Sequence, residues 1–310
     1  VTTDAAVLAV VTRNGVDESV HHGDAVIVDA AGRPVRTWGS PDRTVLPRSS
    51  LKPAQAAAMV RAGLDLPAPL LALAAASHSA EPFHLAGVRD ILASAGLSET
   101  DLRTPPDVPW DPQERAAWGT RAPSTLAMNC SGKHAAMLAT CVVQDWPLDD
   151  YRAPDHPLQE AIAAEVVALA GEPIAAVGVD GCGAPVLGIS LTGLARLGAA
   201  LGAAADDEPG ARVAAAMRAH PEYVAGTRRD VTLLMRSVPG LLAKEGAEGV
   251  GLAVLPGGGA VAVKVADGAD RAREVALVAL LAAAGVTVAA ADIPVLGGGV
   301  PVGRVWSPLA

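Results

Sequence analysis

Aromatic residues, charge and cysteine are all scarce in this chain, and each scarcity removes a class of function. Phe, Trp and Tyr make up 3% of the 310 residues, so the stacking platforms that single-stranded nucleic acids require are missing. Charged residues amount to 18%, the net charge is −9, and the arginines are scattered rather than grouped. Without a basic stripe, a nucleic-acid partner is not expected. Three cysteines, an odd number in a long chain, do not form a disulfide framework. No apolar stretch reaches the roughly eighteen uninterrupted residues of a membrane span; the longest candidates are 70–76 and 275–284. The opening Val1-Thr2-Thr3-Asp4 carries neither the basic segment nor the apolar run of a secretion leader. A cytoplasmic protein, in which a disulfide is disfavoured, is the expectation.

What is plentiful is apolar surface. Hydrophobic residues are 51% of the chain, enough for a sizeable core. Short β-rich runs at 6–12, 19–22, 24–29 and 34–38, separated by Asn14-Gly15, Gly23 and Ala31-Gly32, predict a meander of antiparallel hairpins. Helical stretches follow at 50–62, 69–76, 81–95, 112–118, 132–143 and 157–170, punctuated by Pro and Gly. A buried strand is expected at 175–179, and helices at 191–201, 211–219 and 231–238, with an exposed acidic loop across 202–210. A second hairpin (249–255 and 260–265), a helix at 271–284 and a strand at 303–306 close the chain. Strands at both termini with helices between them predict an α+β fold, an α/β/α sandwich whose antiparallel sheet draws on both ends of the chain. No linker divides the sequence, so residues 1–310 read as one domain.

Chemistry concentrates in a few short segments. Ser49-Ser50-Leu51-Lys52 opens an apolar helical run, and an S-x-x-K pair places a hydroxyl beside an amine three residues on. A neutral amine there takes the hydroxyl proton without any histidine. Ser77-His78-Ser79 and Lys244-Glu245-Gly246 follow in order. S-x-x-K, S-x-[NS] and K-x-G in that sequence form the pattern of serine β-lactamases and penicillin-binding proteins. In that pattern the second serine relays a proton, the later lysine adds positive potential, and the backbone N–H groups of Ser49 and Ala247 form an oxyanion hole. Read singly, the serines are also ordinary helix caps, and Lys244 suits a helix C-terminus. Lys264 reads as a solvent-facing strand lysine.

Cys130-Ser131-Gly132-Lys133-His134 and Asp180-Gly181-Cys182-Gly183 place two cysteines in glycine-rich turns, while Cys141 lies in an apolar stretch and reads as core. Spacing alone allows a zinc site of Cys130, His134 and Cys182 with Asp180 nearby. Nothing in the spacing selects Lys133 over His134.

Together these segments resemble the asparaginase II family, the Rhizobium-etli-type L-asparaginases. Five motifs in order carry the likeness: Arg48 to Pro53, Ser77 to Pro82, Asn129 to His134, Val179 to Gly183 and Lys244 to Gly249. The resemblance implies a serine β-lactamase-like fold and hydrolysis of L-asparagine to L-aspartate and ammonia. It implies two Ser–Lys tandems, Ser49 with Lys52 and Ser77 with Lys244, and a homodimer. It also implies one zinc per chain, held by Cys130, Lys133 and Cys182, that orients substrate. Arg48, Ser79, Glu81, Asp180 and His134 are then candidate substrate contacts, with Ala247 in the oxyanion hole. Two positions depart from the family: Ala80 replaces a frequent glycine, and Glu245 a frequent threonine or serine. The alternatives are a zinc-dependent amidohydrolase acting on another small amide and a non-catalytic amino-acid-binding protein.

Overall fold

The computed structural model describes residues 4–289 and 291–309; residues 1–3, on which the absence of a leader was partly read, lie outside the described residues. Its strands are β1 (Ala6–Arg13), β2 (Val16–Val28), β3 (Pro34–Trp38), β4 (Thr44–Val45), β5 (Ala176–Val179), β6 (Pro185–Ser190), β7 (Leu242–Gly246), β8 (Val250–Val254), β9 (Ala260–Val265), β10 (Ile293–Gly297) and β11 (Val300–Trp306). The helices are α1 (Lys52–Arg61), α2 (Ala68–Ala74), α3 (Pro82–Ser94), α4 (Pro112–Trp118), α5 (Ser131–Val143), α6 (Pro157–Ala170), α7 (Leu191–Ala203), α8 (Pro209–Ala219), α9 (Pro221–Val224), α10 (Asp230–Ser237) and α11 (Asp270–Ala283).

The main sheet runs β10-β11-β1-β2-β9-β8-β7, with β3 also paired to β2. Every pairing is antiparallel, and strands from the two ends of the chain meet at β1–β11 and β2–β9. The fold is α+β, as the element pattern predicted. Asn14 and Gly15 turn β1 into β2 with φ of 48° and 80°, which a two-residue hairpin of the favoured hand demands. The two faces of the sheet are covered by different helices. Side-chain additions at Gly198 and Gly202 of α7 would strike Leu252 and Val254, whereas Gly251 abuts Arg273 of α11. Residues 251 and 252 point to opposite faces, so α7 and α11 sandwich the sheet.

Several elements differ from expectation. β2 passes unbroken through Gly23, where a Cβ would lie 2.1 Å from the Lys264 carbonyl; this glycine serves close strand approach rather than a turn. The expected buried strand at 175–179 is β5, an exposed edge with Val179 80% accessible. The buried strand is its partner β6, disguised by its leading proline. With β4 these form a separate three-stranded sheet. β7 was not expected as a strand, so Lys244 sits inside a buried edge strand rather than ahead of a hairpin. The helix expected from residue 50 begins at Lys52, because residues 48–51 form a 3₁₀ turn. No helix among the described residues is long and apolar enough to cross a membrane.

Candidate active site

Lys52, Lys133 and Lys244 are among the largest fully buried side chains of the molecule, each 1% exposed or less. Buried ammonium groups are costly unless paired and hydrogen-bonded, so three in one fold require an account. Two of them meet at one hydroxyl. Ser77 follows α2 in an extended segment pinned on both sides: its N–H donates to the Val224 carbonyl (2.9 Å) and that of His78 to the Asn129 carbonyl (3.0 Å). Lys52, at the start of α1, donates to Ser77 Oγ (3.0 Å), Cys130 Sγ (3.1 Å) and the Ala76 carbonyl. Lys244, in the middle of β7, donates to Ser77 Oγ (2.9 Å) and to the carbonyl of Glu245 (3.0 Å), with Glu245 Oε1 also at 3.0 Å. Leu252, the cross-strand partner of Lys244, contacts α7, so β7 directs Lys244 to that face.

This geometry corrects one expectation. The Lys52 amine has three hydrogen-bond partners, and Ser49 is not among them. Ser49 lies in the 3₁₀ turn before α1, where its carbonyl accepts from the Lys52 N–H, but the lysine stem carries its amine on to Ser77. Ser49 is half-buried. Its turn lies against the strand bearing Lys244, where a Cβ at Gly246 would fall 2.4 Å from the Pro47 carbonyl. Ala247, the other expected oxyanion donor, is exposed in the β7–β8 turn.

Burial drives the electrostatics. The Lys244 amine is pushed down to about 8 by burial, with the Lys52 charge acting in the same direction and Glu245 opposing both. Burial alone would raise Glu245, but Lys244 and Arg229 hold it at about 2, so it is a carboxylate. Burial and the neighbouring His84 and Lys52 keep His78 neutral. Its Nδ1 accepts the Ala80 N–H, and its Nε2 faces Ser131 Oγ at 2.7 Å, clamping α5 to the Ser77 segment.

Ser79 and Glu81 are spent locally in this arrangement. Ser79 Oγ donates to the Ala225 carbonyl, and Glu81 accepts from the N–H and hydroxyl of Thr227. Ala80 adopts φ of +61°, which explains why glycine suits this position. Arg48 pairs with Asp180 (2.7 Å) and borders a cleft of about 750 Å³ that Glu248 also lines.

The cysteines lie directly behind the two amines. Cys130 precedes α5, Lys133 and His134 occupy its first turn, and Gly132 allows that turn to approach α2, where a Cβ would lie 2.6 Å from the Leu73 carbonyl. Cys182 comes from the β5–β6 turn and receives the Lys133 amine at 3.4 Å. The Cys130 thiol against Cys182, and then Lys133, outweigh burial and hold Cys182 as a thiolate, while Cys130 is pushed up. Burial would lower Lys133, but the charges of Cys182, Cys130 and Asp180 raise it. His134 donates to or accepts from the Tyr151 hydroxyl through Nδ1 (2.6 Å). Its Nε2 is buried without a hydrogen-bond partner, although Cys182 is close enough to influence its protonation, and burial lowers it to about 4. Among the described residues no group of three or more His, Cys, Asp or Glu side chains is arranged to hold a metal ion.

Arg229 was not foreseen as part of this centre, and Glu245, noted in the sequence only as a departure from the family, turns toward Lys244. One signal was available: the chain has four lysines against twenty arginines, and three of the four lie here.

The sequence model of the family described as L-asparaginase II matches residues 9–305. No curated protein matches the chain. Solved structures with a similar fold include Mglu in its native form (TM-score 0.47, 14% identity, 85% of this chain and 65% of that one). Mglu in its glutamate form gives 0.46 and 15%, over 85% and 61% of the two chains. A beta-lactamase from Mycobacterium bovis gives 0.46 and 18%, over 84% and 94%. The chain therefore spans less than two thirds of the length of the two Mglu structures.

Proposed function

The chain belongs to the L-asparaginase II family, and on that premise we propose that it hydrolyses the side-chain amide of L-asparagine to L-aspartate and ammonia through a serine ester. The observation that carries this reading is the bridge Lys52–Ser77–Lys244, in which one hydroxyl joins two buried amines. Such a bridge moves a proton between amines without solvent. Neutral Lys244 takes the Ser77 proton while Ser77 takes one from Lys52, which leaves Lys52 as the base for Ser49, three residues back. Ser49 attacks the amide carbon, the C–N bond breaks, the relay returns its proton to the departing ammonia, and water cleaves the aspartyl ester. Half-buried Ser49 is more open to substrate than Ser77, which is 3% exposed. A second reading, attack by Ser77 itself, is favoured by the fact that both amines bond Ser77 and neither bonds Ser49. Labelling with a diazoketone analogue of asparagine, followed by peptide mapping, separates the two by which serine carries the adduct.

Because the relay needs Lys244 neutral, ammonia release from asparagine should climb with pH, reaching half of its plateau near pH 8, where the depressed amine titrates. A rate that is flat from pH 6 to 9 would remove Lys244 from the proton path. No ammonia at any pH, from asparagine or glutamine, would leave an amino-acid-binding role.

Cys130, Lys133 and Cys182 fit a zinc ion by the chemistry of their donors: Cys182 is already poised as a thiolate, with an amine and a second sulfur beside it. Bound there, zinc would supply a positive centre that orients a substrate carboxylate or carbonyl. Elemental analysis of the purified chain should find about one zinc per chain, and Cys182→Ser should lose most of it. Full zinc content in Cys182→Ser would exclude this ligand set.

A further inference from the structure

We propose that Glu245 is a positioning residue that aims the Lys244 amine at Ser77, by taking both of the hydrogens the amine keeps when it acts as a base. This rests on the proposed role of Lys244 and deepens it. A neutral amine has two N–H groups and one lone pair in tetrahedral arrangement. Lys244 Nζ has three close polar neighbours: Ser77 Oγ at 2.9 Å, the Glu245 carbonyl at 3.0 Å and Glu245 Oε1 at 3.0 Å. With two directions occupied by acceptors from Glu245, the lone pair is left pointing at the serine hydroxyl. One residue, through main chain and side chain together, fixes the orientation of its neighbour.

The carboxylate is itself held firmly. Arg229 approaches Oε1 at 3.4 Å and is pinned from behind by Trp110, whose ring centre lies 3.9 Å from the guanidinium carbon. Glu245 is 3% exposed, and its Oε2 has no hydrogen-bond partner. A buried carboxylate oxygen without a partner carries a desolvation cost. Packing alone gives no reason to keep one, whereas a charge that holds and balances Lys244 does. The charged groups facing this pair are Lys52 from α1, Arg229 from the segment before α10, and Arg273 from α11, the last already paired with Asp230 and Asp270. With two guanidinium groups facing the pair, Glu245 is the anion that lets Lys244 accept a proton there.

Two substitutions separate the two duties. Glu245→Gln keeps a carbonyl acceptor and removes the charge; Glu245→Ala removes both. Lysine labelled with ¹³C and ¹⁵N gives a simple spectrum in a chain with four lysines, and Lys244→Met identifies the resonance in question. In Glu245→Gln the Lys244 midpoint should fall by at least about one pH unit, and the acid limb of kcat/KM should move with it. In Glu245→Ala the plateau of kcat should fall by roughly 10- to 100-fold, more than in the glutamine variant, because the lone pair is no longer aimed. Glu245→Asp should recover part of that loss. An unchanged Lys244 midpoint in Glu245→Gln, or a wild-type plateau in Glu245→Ala, would overturn the proposal. The titration reads Lys244 without turnover: a wild-type chain that released no ammonia, yet showed the shift, would sink the amidase reading and uphold the coupling of Glu245 to Lys244.

Discussion

Ser77→Ala is expected to lower asparagine turnover by roughly a thousandfold or more, the scale on which removal of a positioned proton-transfer group acts. The expectation is the same whether Ser77 attacks or relays, because its hydroxyl is the one group bonded to both amines. The fold should survive. The Ser77 segment is held through main-chain bonds to Val224 and Asn129, which alanine keeps. The lost hydroxyl leaves Lys52 with the Ala76 carbonyl and Cys130, and leaves Lys244 with Glu245. Ammonia release, thermal unfolding and zinc content measured on one preparation check all of this. Turnover within tenfold of wild type would show that the two amines do not work through this hydroxyl. Ser49→Ala is the companion measurement: if it alone abolishes adduct formation while Ser77→Ala still forms adduct slowly, Ser49 is the attacking group.

The topology was largely legible because periodicity and turn chemistry agree with it. Asn14-Gly15 fixes the first hairpin, and apolar runs without breakers give the helices that cover the sheet. β7 escaped notice because Lys244 and Glu245 interrupt the pattern by which a buried strand is recognised, and they do so for the sake of the site. The segments of the candidate site were also legible, and of the two expected Ser–Lys pairs the structure brings Ser77 to Lys244 while the Lys52 amine bonds Ser77 instead of Ser49. Spacing in S-x-x-K sets the two residues on one side of the chain, and the 3₁₀ turn at 48–51 keeps them there, but it does not say where a long side chain ends. Side-chain reach decides the rest. A lysine stem lets Lys52 pass its near neighbour and meet Ser77 twenty-five residues along. Strand alternation sets Glu245 on the face opposite Lys244, so their contact across the sheet edge at 3.0 Å is not what the pattern predicts.

The second large effect expected is from Lys244→Arg. Two roles for this residue make opposite forecasts. If Lys244 only supplies positive potential at the sheet edge, arginine serves nearly as well. If its neutral amine takes the Ser77 proton, arginine fails, because a guanidinium does not lose its proton in a protein and no lone pair becomes available. Burial that pushes Lys244 down to about 8 supports the second role, so turnover should fall by roughly a thousandfold. Retention of charge beside Glu245 should keep the strand folded, at a cost of about 1–3 kcal/mol for fitting a larger group into a closed site. Lys264→Arg is the control. That lysine donates to the carbonyls of Glu248 and Val265, a task arginine can share, and its activity should stay near wild type. The usage of basic residues points the same way. A chain that employs arginine at twenty positions and lysine at four places two of those four on one serine hydroxyl. If Lys244→Arg retained turnover within tenfold of wild type, Lys244 would be a fixed charge and the proton would have to leave Ser77 through Lys52 alone.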